Sequence, residues 1–178
     1  MSADAPGASK GAQPAAPAGA APTGAAPSGV ARMVEVGGKE ITEREAVAIA
    51  YLRSTPDAVG HLMEGTRKGH PLEASRIAGV LGVKRTPDLL PFCHPVAVTG
   101  AEVVVEPDRP NGTVRVQATV RALDRTGVEM EALTAAAVAA LSLYDTVKEF
   151  DRSADITGIR LLAKRGGKSG DYRAPDPG

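Results

Sequence analysis

The chain has 178 residues, no tryptophan, a single cysteine and only 3% aromatic residues. One cysteine, Cys93, allows neither an intrachain disulfide nor a cysteine-based zinc cluster, and fits a reducing compartment. Without large aromatics the core must be built from Ala, Val, Leu and Ile. Such a core favours close backbone approach and added burial at subunit contacts. The same shortage removes the stacking platforms of single-strand nucleic-acid binders. Acids and bases cancel at 21 each, so no large polyanionic partner is implied by net charge. The longest apolar run, 132–144, is interrupted by Thr134 and Ser142 and is too short to span a bilayer. His61, His70 and His94 have no metal-ligand spacing, so no metal site is expected.

Residues 1–31 are mostly Ala, Pro and Gly and cannot bury enough apolar surface to offset chain entropy, which predicts a disordered tail. They lack the basic start and apolar core of a secretory signal and the arginines of a transit peptide, so a soluble cytoplasmic protein is expected. A single domain is expected over 32–172, with a flexible tail from 173 to 178.

Within the domain, 33–36 alternates as a short strand. Thr42-Glu43-Arg44-Glu45 has the form of a capping box and predicts a helix to about Arg53. Ser54-Thr55-Pro56-Asp57 opens a second helix ending near Gly65. Pro71 to Val83 reads as a third, with Ile77, Val80 and Leu81 on one side, and Thr86-Pro87 reads as the start of another. The prolines of Leu90-Pro91-Phe92-Cys93-His94-Pro95 exclude regular helix. Strands are expected over 96–106 and 113–123, joined at Asn111-Gly112, then a long helix over 128–150 and a last strand over 156–164. The glycine-rich end from Gly166 reads as loop. This order predicts an α+β fold with helices on one face of an antiparallel sheet.

The long helix carries the clearest chemical signal. Its Ala-, Val- and Leu-rich body is bracketed by Glu129 and Glu131 at one end and by Asp145 and Lys148 at the other. Glu131, Thr134, Val138, Asp145 and Lys148 fall near one line, beside an apolar stripe of Leu133, Ala137, Ala140, Leu143 and Val147. Asp145 and Lys148, three apart, are placed to meet, and spacing alone leaves an ordinary surface ion pair open. Glu131 and Asp145 are fourteen residues apart, roughly 21 Å along the axis. One small ligand cannot touch both ends, so either the two ends serve separate purposes or a symmetry-related subunit brings them together.

Other candidates are weaker. Cys93 and His94 are adjacent in an extended segment, point to opposite sides and make a poor nucleophile–base pair. Gly166-Gly167-Lys168-Ser169-Gly170 resembles the end of a phosphate loop but lacks the leading glycine, with Leu162 in its place, and the following helix. Lys68, Lys84, Arg85 and Lys164 lie near loops or element ends, where converging ammonium groups suit a phosphate or pyrophosphate.

Taken together, Lys68-Gly69, 74–79, 84–86, 90–95, 126–134, Tyr144-Asp145 and 166–170 resemble the molybdenum cofactor biosynthesis protein C family, the cyclic pyranopterin monophosphate synthases. The resemblance covers about 33–172. It implies a ferredoxin-like α+β fold assembled as a homohexamer, a trimer of dimers with the site near the dimer contact. The implied reaction is a lyase step of molybdenum cofactor biosynthesis. It turns 3′,8-cyclo-7,8-dihydro-GTP into cyclic pyranopterin monophosphate and releases pyrophosphate. By the same resemblance Asp145 and Lys148 are the catalytic pair, with the lysine tuned by burial and by the acid. Phe92, Cys93, His94, Glu129, Met130 and Glu131 match substrate contacts, and Arg44, Lys68, Lys84 and Lys164 match basic positions near the phosphates. The implied chemistry has no redox step and calls for no cofactor; Mg²⁺ accompanying the triphosphate is compatible with it. The partner implied is the small-molecule substrate, with neither nucleic acid nor membrane. Departures are His70 where the family usually has Asp, Phe92 in place of Leu, and the Ala/Pro tail. The competing readings are a non-catalytic nucleotide- or pterin-binding module and a structural scaffold built on the Ala-rich helix.

Overall fold

The 42–53 segment, where the Thr42–Glu45 pattern predicts a helix, is instead the central strand β1 (Thr42–Arg53) in the computed structural model, which describes residues 29–175. Ala46, Ala48, Ala50 and Leu52 alternate onto one fully buried face. Both edges of β1 are hydrogen-bonded in antiparallel ladders, to β3 (Thr113–Asp124) and to β4 (Asp155–Arg165). Period-two burial between two neighbours outweighs the helix propensity of the alanines. The two polar residues cap nothing. Glu45 accepts a hydrogen bond from Arg121 Nε at 2.7 Å, its cross-strand partner, and the Thr42 hydroxyl is buried without a partner among the described residues.

The sheet is completed by β2 (Val98–Asp108) and β5 (Tyr172–Arg173) in the order β2-β3-β1-β4-β5, all pairs antiparallel. The expected hairpin is present. Gly112 turns with φ +63°, and a Cβ there would lie 2.2 Å from the Ser54 carbonyl oxygen. Residues 33–36 form no strand, and Tyr172–Arg173, expected as the start of a loose end, pairs with β4. The predicted tail over 1–31 lies almost wholly outside the described residues, as do 176–178.

Three helices, α1 (Pro56–Glu64), α2 (Pro71–Leu89) and α3 (Glu129–Val147), contribute to the core on one side of the sheet. Helix α1 starts as expected, with the Thr55 hydroxyl accepting from Ala58 N at 3.2 Å and Pro56 in the first turn. The expected new start at Thr86-Pro87 is absent. Thr86 donates its hydroxyl to Gly82 O at 2.9 Å inside α2, and the helix carries Pro87 within its last turn before ending at Leu89. His70, at the N-cap of α2, makes no side-chain cap bond, as its replacement of Asp suggested.

Of the three apolar residues on the predicted side of α2, Val80 packs against the core and the other two do not. Ile77 is 63% and Leu81 54% exposed, while Ser75, Gly79, Gly82, Val83 and Thr86 face inward. Two glycines make this side, because α2 lies directly against the backbone of α3. A Cβ at Gly79 would sit 3.0 Å from Val103 Cγ2 and 3.1 Å from Ala135 O, and one at Gly82 would sit 3.3 Å from Thr134 O. On α3, Ala132, Ala135, Ala136, Ala139, Ala140, Leu143 and Val147 are fully buried. Leu133 and Ala137, assigned to the core stripe by periodicity, lie half-buried at its flank. By length and composition α3 could cross a bilayer, yet half of it is buried within the fold.

This glycine contact yields the first prediction. Gly79→Val has no room between Val103 and the Ala135 carbonyl and should cost about 1–3 kcal/mol by overpacking. Gly82→Ala, with wider clearance and better helix propensity, should cost less. Thermal unfolding of both variants checks the order.

Candidate active site

Helices α2 and α3 run antiparallel, so the loops flanking α2 reach opposite ends of α3. The 66–70 turn before α2 meets the C-terminal end of α3, and the 90–95 segment after it meets the N-terminal end. The candidate residues divide between these two places.

At the C-terminal end Lys68 is a hub. Its Nζ donates to Asp145 O at 3.0 Å and to Asp145 Oδ2 at 3.1 Å, and it pairs with Glu149 Oε1 at 3.0 Å. Lys148 Nζ lies 2.7 Å from the other oxygen of Asp145. The Asp145 carboxylate is therefore bracketed by two ammonium groups. Lys148 first and then Lys68 hold its pKa below the ordinary carboxylate value. Glu149 and then Asp145 raise that of Lys68. Helix geometry supports the arrangement, since cations complement the partial negative charge at a helix C-terminus. The cluster is open to solvent, with the side chains of Asp145 and Lys148 60% and 48% exposed. The burial of Lys148 implied by the resemblance is not present within one chain. Just beyond it, Asp151 pins the chain. It accepts from the Ser153 hydroxyl and the Ser54 hydroxyl, both at 2.6 Å, and from the Ser153 amide, bonds that pull its carboxyl down to about 2.

The N-terminal end is a different environment. Glu131 is 1% exposed in the first turn of α3; Cys93 Sγ donates to its Oε1 at 3.5 Å, and its Oε2 is buried without a partner among the described residues. Burial pushes the Glu131 carboxyl up. Burial first, and then the Glu131 charge, push the Cys93 thiol up to about 11. Donating to a buried carboxyl and with its acidity reduced, Cys93 is poorly suited to act as a nucleophile. Glu129 folds back over Gly127, where a Cβ would lie 1.8 Å from Glu129 Oε2, and faces Lys164 Nζ at 3.6 Å. Lys164 also donates to Ser169 Oγ at 2.6 Å. The glycine loop after β4 wraps the guanidinium of Arg44: a Cβ at Gly167 would meet Arg44 Nη1 at 1.8 Å. Arg44 itself donates to the carbonyls of Asp124 and Arg125. Asp124, accepting from Ala97 N at 2.8 Å, ties the strand entered after His94 to the approach to α3.

Beside this end lies a shallow groove of about 760 Å³, lined by Glu129, Arg160, Lys164, Ser169, Asp171 and Tyr172 among others. A smaller pocket of about 240 Å³ at Asp57, His61, Glu64 and Arg109 contains none of the candidate residues. Its His61 stacks on Phe150 at 4.1 Å.

The structure thus brings Lys68, Asp145 and Lys148 together, and separately Arg44, Cys93, Glu129, Glu131 and Lys164. Phe92 and Met130 are exposed beside the second group and His94 is half-buried there. Lys84 is exposed on α2 and joins neither set of ion pairs among the described residues. The phosphate-loop reading fails as expected, because the glycine loop leads into β5 and not a helix. Two participants escaped the sequence reading. Glu149, four residues after Asp145, was legible as a same-face acid. Ser169 gave no signal beyond its place in the glycine loop.

The frame is an α+β scaffold that holds an acid–ammonium cluster at one end of a core helix and a buried carboxyl at the other. The chain belongs to the MoaC family, whose model matches residues 33–167. A cyclic pyranopterin monophosphate synthase of Streptomyces griseus subsp. griseus is 53% identical over 148 residues, covering 83% of this chain and 82% of the relative. Proteins of the same description from Parvibaculum lavamentivorans and Roseiflexus sp. are each 50% identical. They cover 81% and 80% of this chain, and 91% and 90% of their own length.

Glu131 gives a prediction with a definite sign. Its folded pKa is raised above the ordinary 4.5, so its contribution is favourable at low pH and is lost as pH rises from that value through the raised one. Glu131→Gln should therefore melt a few degrees higher than wild type at pH 7, the scale of one unpaired buried polar group. The gap should close below pH 4.5. Melting curves across that range check it.

Proposed function

We propose that this chain is a cyclic pyranopterin monophosphate synthase of molybdenum cofactor biosynthesis. It converts 3′,8-cyclo-7,8-dihydro-GTP to cyclic pyranopterin monophosphate and pyrophosphate. The observation that carries the reading is Asp145 held between Lys68 and Lys148 at 3.1 and 2.7 Å, in a chain half identical to relatives of that description. The reaction needs ring opening and closure with proton transfers. It also needs attack of a sugar-derived oxygen on the phosphorus nearest the ribose, forming one P–O bond and breaking the P–O bond to the leaving pyrophosphate. Lys148 is the general acid or base, oriented by Asp145. Lys68, with Arg44 and Lys164, stabilises the charge on the phosphates as pyrophosphate departs. Glu129, Glu131, Cys93 and His94 bind the pterin end.

One helix cannot present both ends to one substrate, because Glu131 and Asp145 lie roughly 21 Å apart along α3. We place the working site where the C-terminal end of one protomer's α3 meets the N-terminal end of its partner's, in a trimer of dimers. The exposure of Ile77, Leu81 and Leu141 on the helix pair supports an assembled form. The strand order, read as β4-β1-β3-β2 with β5 added at the edge, supports the ferredoxin-like assignment. In the assembly the second protomer supplies the burial that Lys148 lacks alone. We place the enzyme in the cytoplasm. A non-catalytic binding module has no use for an acid–ammonium pair of this kind.

Purified protein given the cyclised GTP intermediate should release pyrophosphate and form the pterin. Asp145→Asn and Lys148→Ala should each lower turnover about 100-fold or more, the scale of a lost acid–base group, while melting and assembly stay near wild type. No product from the wild type would overturn the function, and full activity in both variants would overturn the roles.

A further inference from the structure

Lys68 has one more acceptor than the proposed chemistry uses. Its ammonium contacts the Asp145 carbonyl, Asp145 Oδ2 and Glu149 Oε1, all at 3.0–3.1 Å, so its three donors are spent on protein oxygens. Together with Lys148 the cluster holds two ammonium groups and two carboxylates, and it sits on the partly negative end of α3. A cluster with no net positive charge is poorly made to attract phosphate groups. One of the two carboxylates must give way. Asp145 is tied to both lysines and stands in the last turn of α3, whereas Glu149 lies past the helix end and has Lys68 as its ion-pair partner among the described residues.

We propose that Glu149 is a positioning residue that stands in for a phosphate oxygen. It holds the Lys68 ammonium beside Asp145 in the empty site, yields it when a phosphate arrives, and takes it back as pyrophosphate leaves. Glu149 thereby keeps Lys68 aimed and weakens the retention of the released anion. The inference rests on the assignment of Lys68 to the phosphates. It is also specific to Glu149, because the pair partner determines which lysine changes when the acid is removed.

The experiment measures pyrophosphate binding to the full-length protein by calorimetry at low ionic strength, for wild type, Glu149→Gln, Lys68→Ala and the double variant. Glu64→Gln, which loosens the remote pair to Arg109, serves as the charge control. Glu149→Gln should bind pyrophosphate about threefold tighter or more, the scale of one exposed charge pair. The gain should vanish in the Lys68→Ala background and be absent from Glu64→Gln. In turnover, Glu149→Gln should show stronger product inhibition by pyrophosphate, with KM lowered more than kcat. Unchanged pyrophosphate affinity in Glu149→Gln, a gain that survives loss of Lys68, or no measurable binding to any form would overturn the proposal. The binding measurement needs no turnover. A gain seen without product formation would sink the reaction and leave the role of Glu149 standing; turnover without the gain would do the reverse.

Discussion

The contact between α2 and α3 sets the geometry of every candidate group. Gly79 and Gly82 carry no Cβ, so α2 lies against the Ala135 and Thr134 carbonyls of α3. The facing surface of α3 is alanine-rich for the same reason. A protein without tryptophan and with few aromatics packs through backbone proximity, and small errors of volume are felt directly. That packing fixes the antiparallel helix pair, which in turn delivers Lys68 to one end of α3 and Cys93 to the other.

The two ends are built by opposite electrostatic means. At the C-terminal end charges are numerous, exposed and mutually paired, and the Asp145 carboxylate is held ionised by two lysines. At the N-terminal end one carboxyl is removed from water with a thiol as its weak donor, and its acidity is reduced by burial. One rigid helix thus carries a carboxylate kept ionised at one end and a carboxyl of reduced acidity at the other. Rigidity also sets the spacing, since neither end can move toward the other without breaking the core.

Much of this was legible in the residues. The hairpin at Asn111-Gly112, the break at Pro91 to Pro95, and the long helix with charged ends follow from turn chemistry, missing donors and periodicity. The central strand was not, because a Thr-x-x-Glu pattern before an Ala-rich run carries the local signature of a helix start. Only the two flanking strands decide otherwise. The apolar side of α2 marks its inward face only at Val80, because apolar side chains mark a core face only where side chains do the packing; here the glycines do. The candidate residues stand out by type, but their division into two clusters depends on the antiparallel helix pair. Glu149 meets Lys68 only because the 66–70 turn folds back onto the end of α3.

The central claim is that the two ends of α3 act together only across a protomer boundary. Lys148→Ala removes the C-terminal end of the site and Glu131→Gln the N-terminal end, and each variant alone should be inactive. The two proteins are to be dissociated, mixed in equal amounts and reassembled, and pyrophosphate release from the cyclised substrate measured. Composite sites predict recovery of about a quarter of wild-type activity, the statistical yield when random pairing leaves one intact site in half of the dimers. A mixture as inactive as its two parents, after exchange of subunits has been verified, would contradict the account.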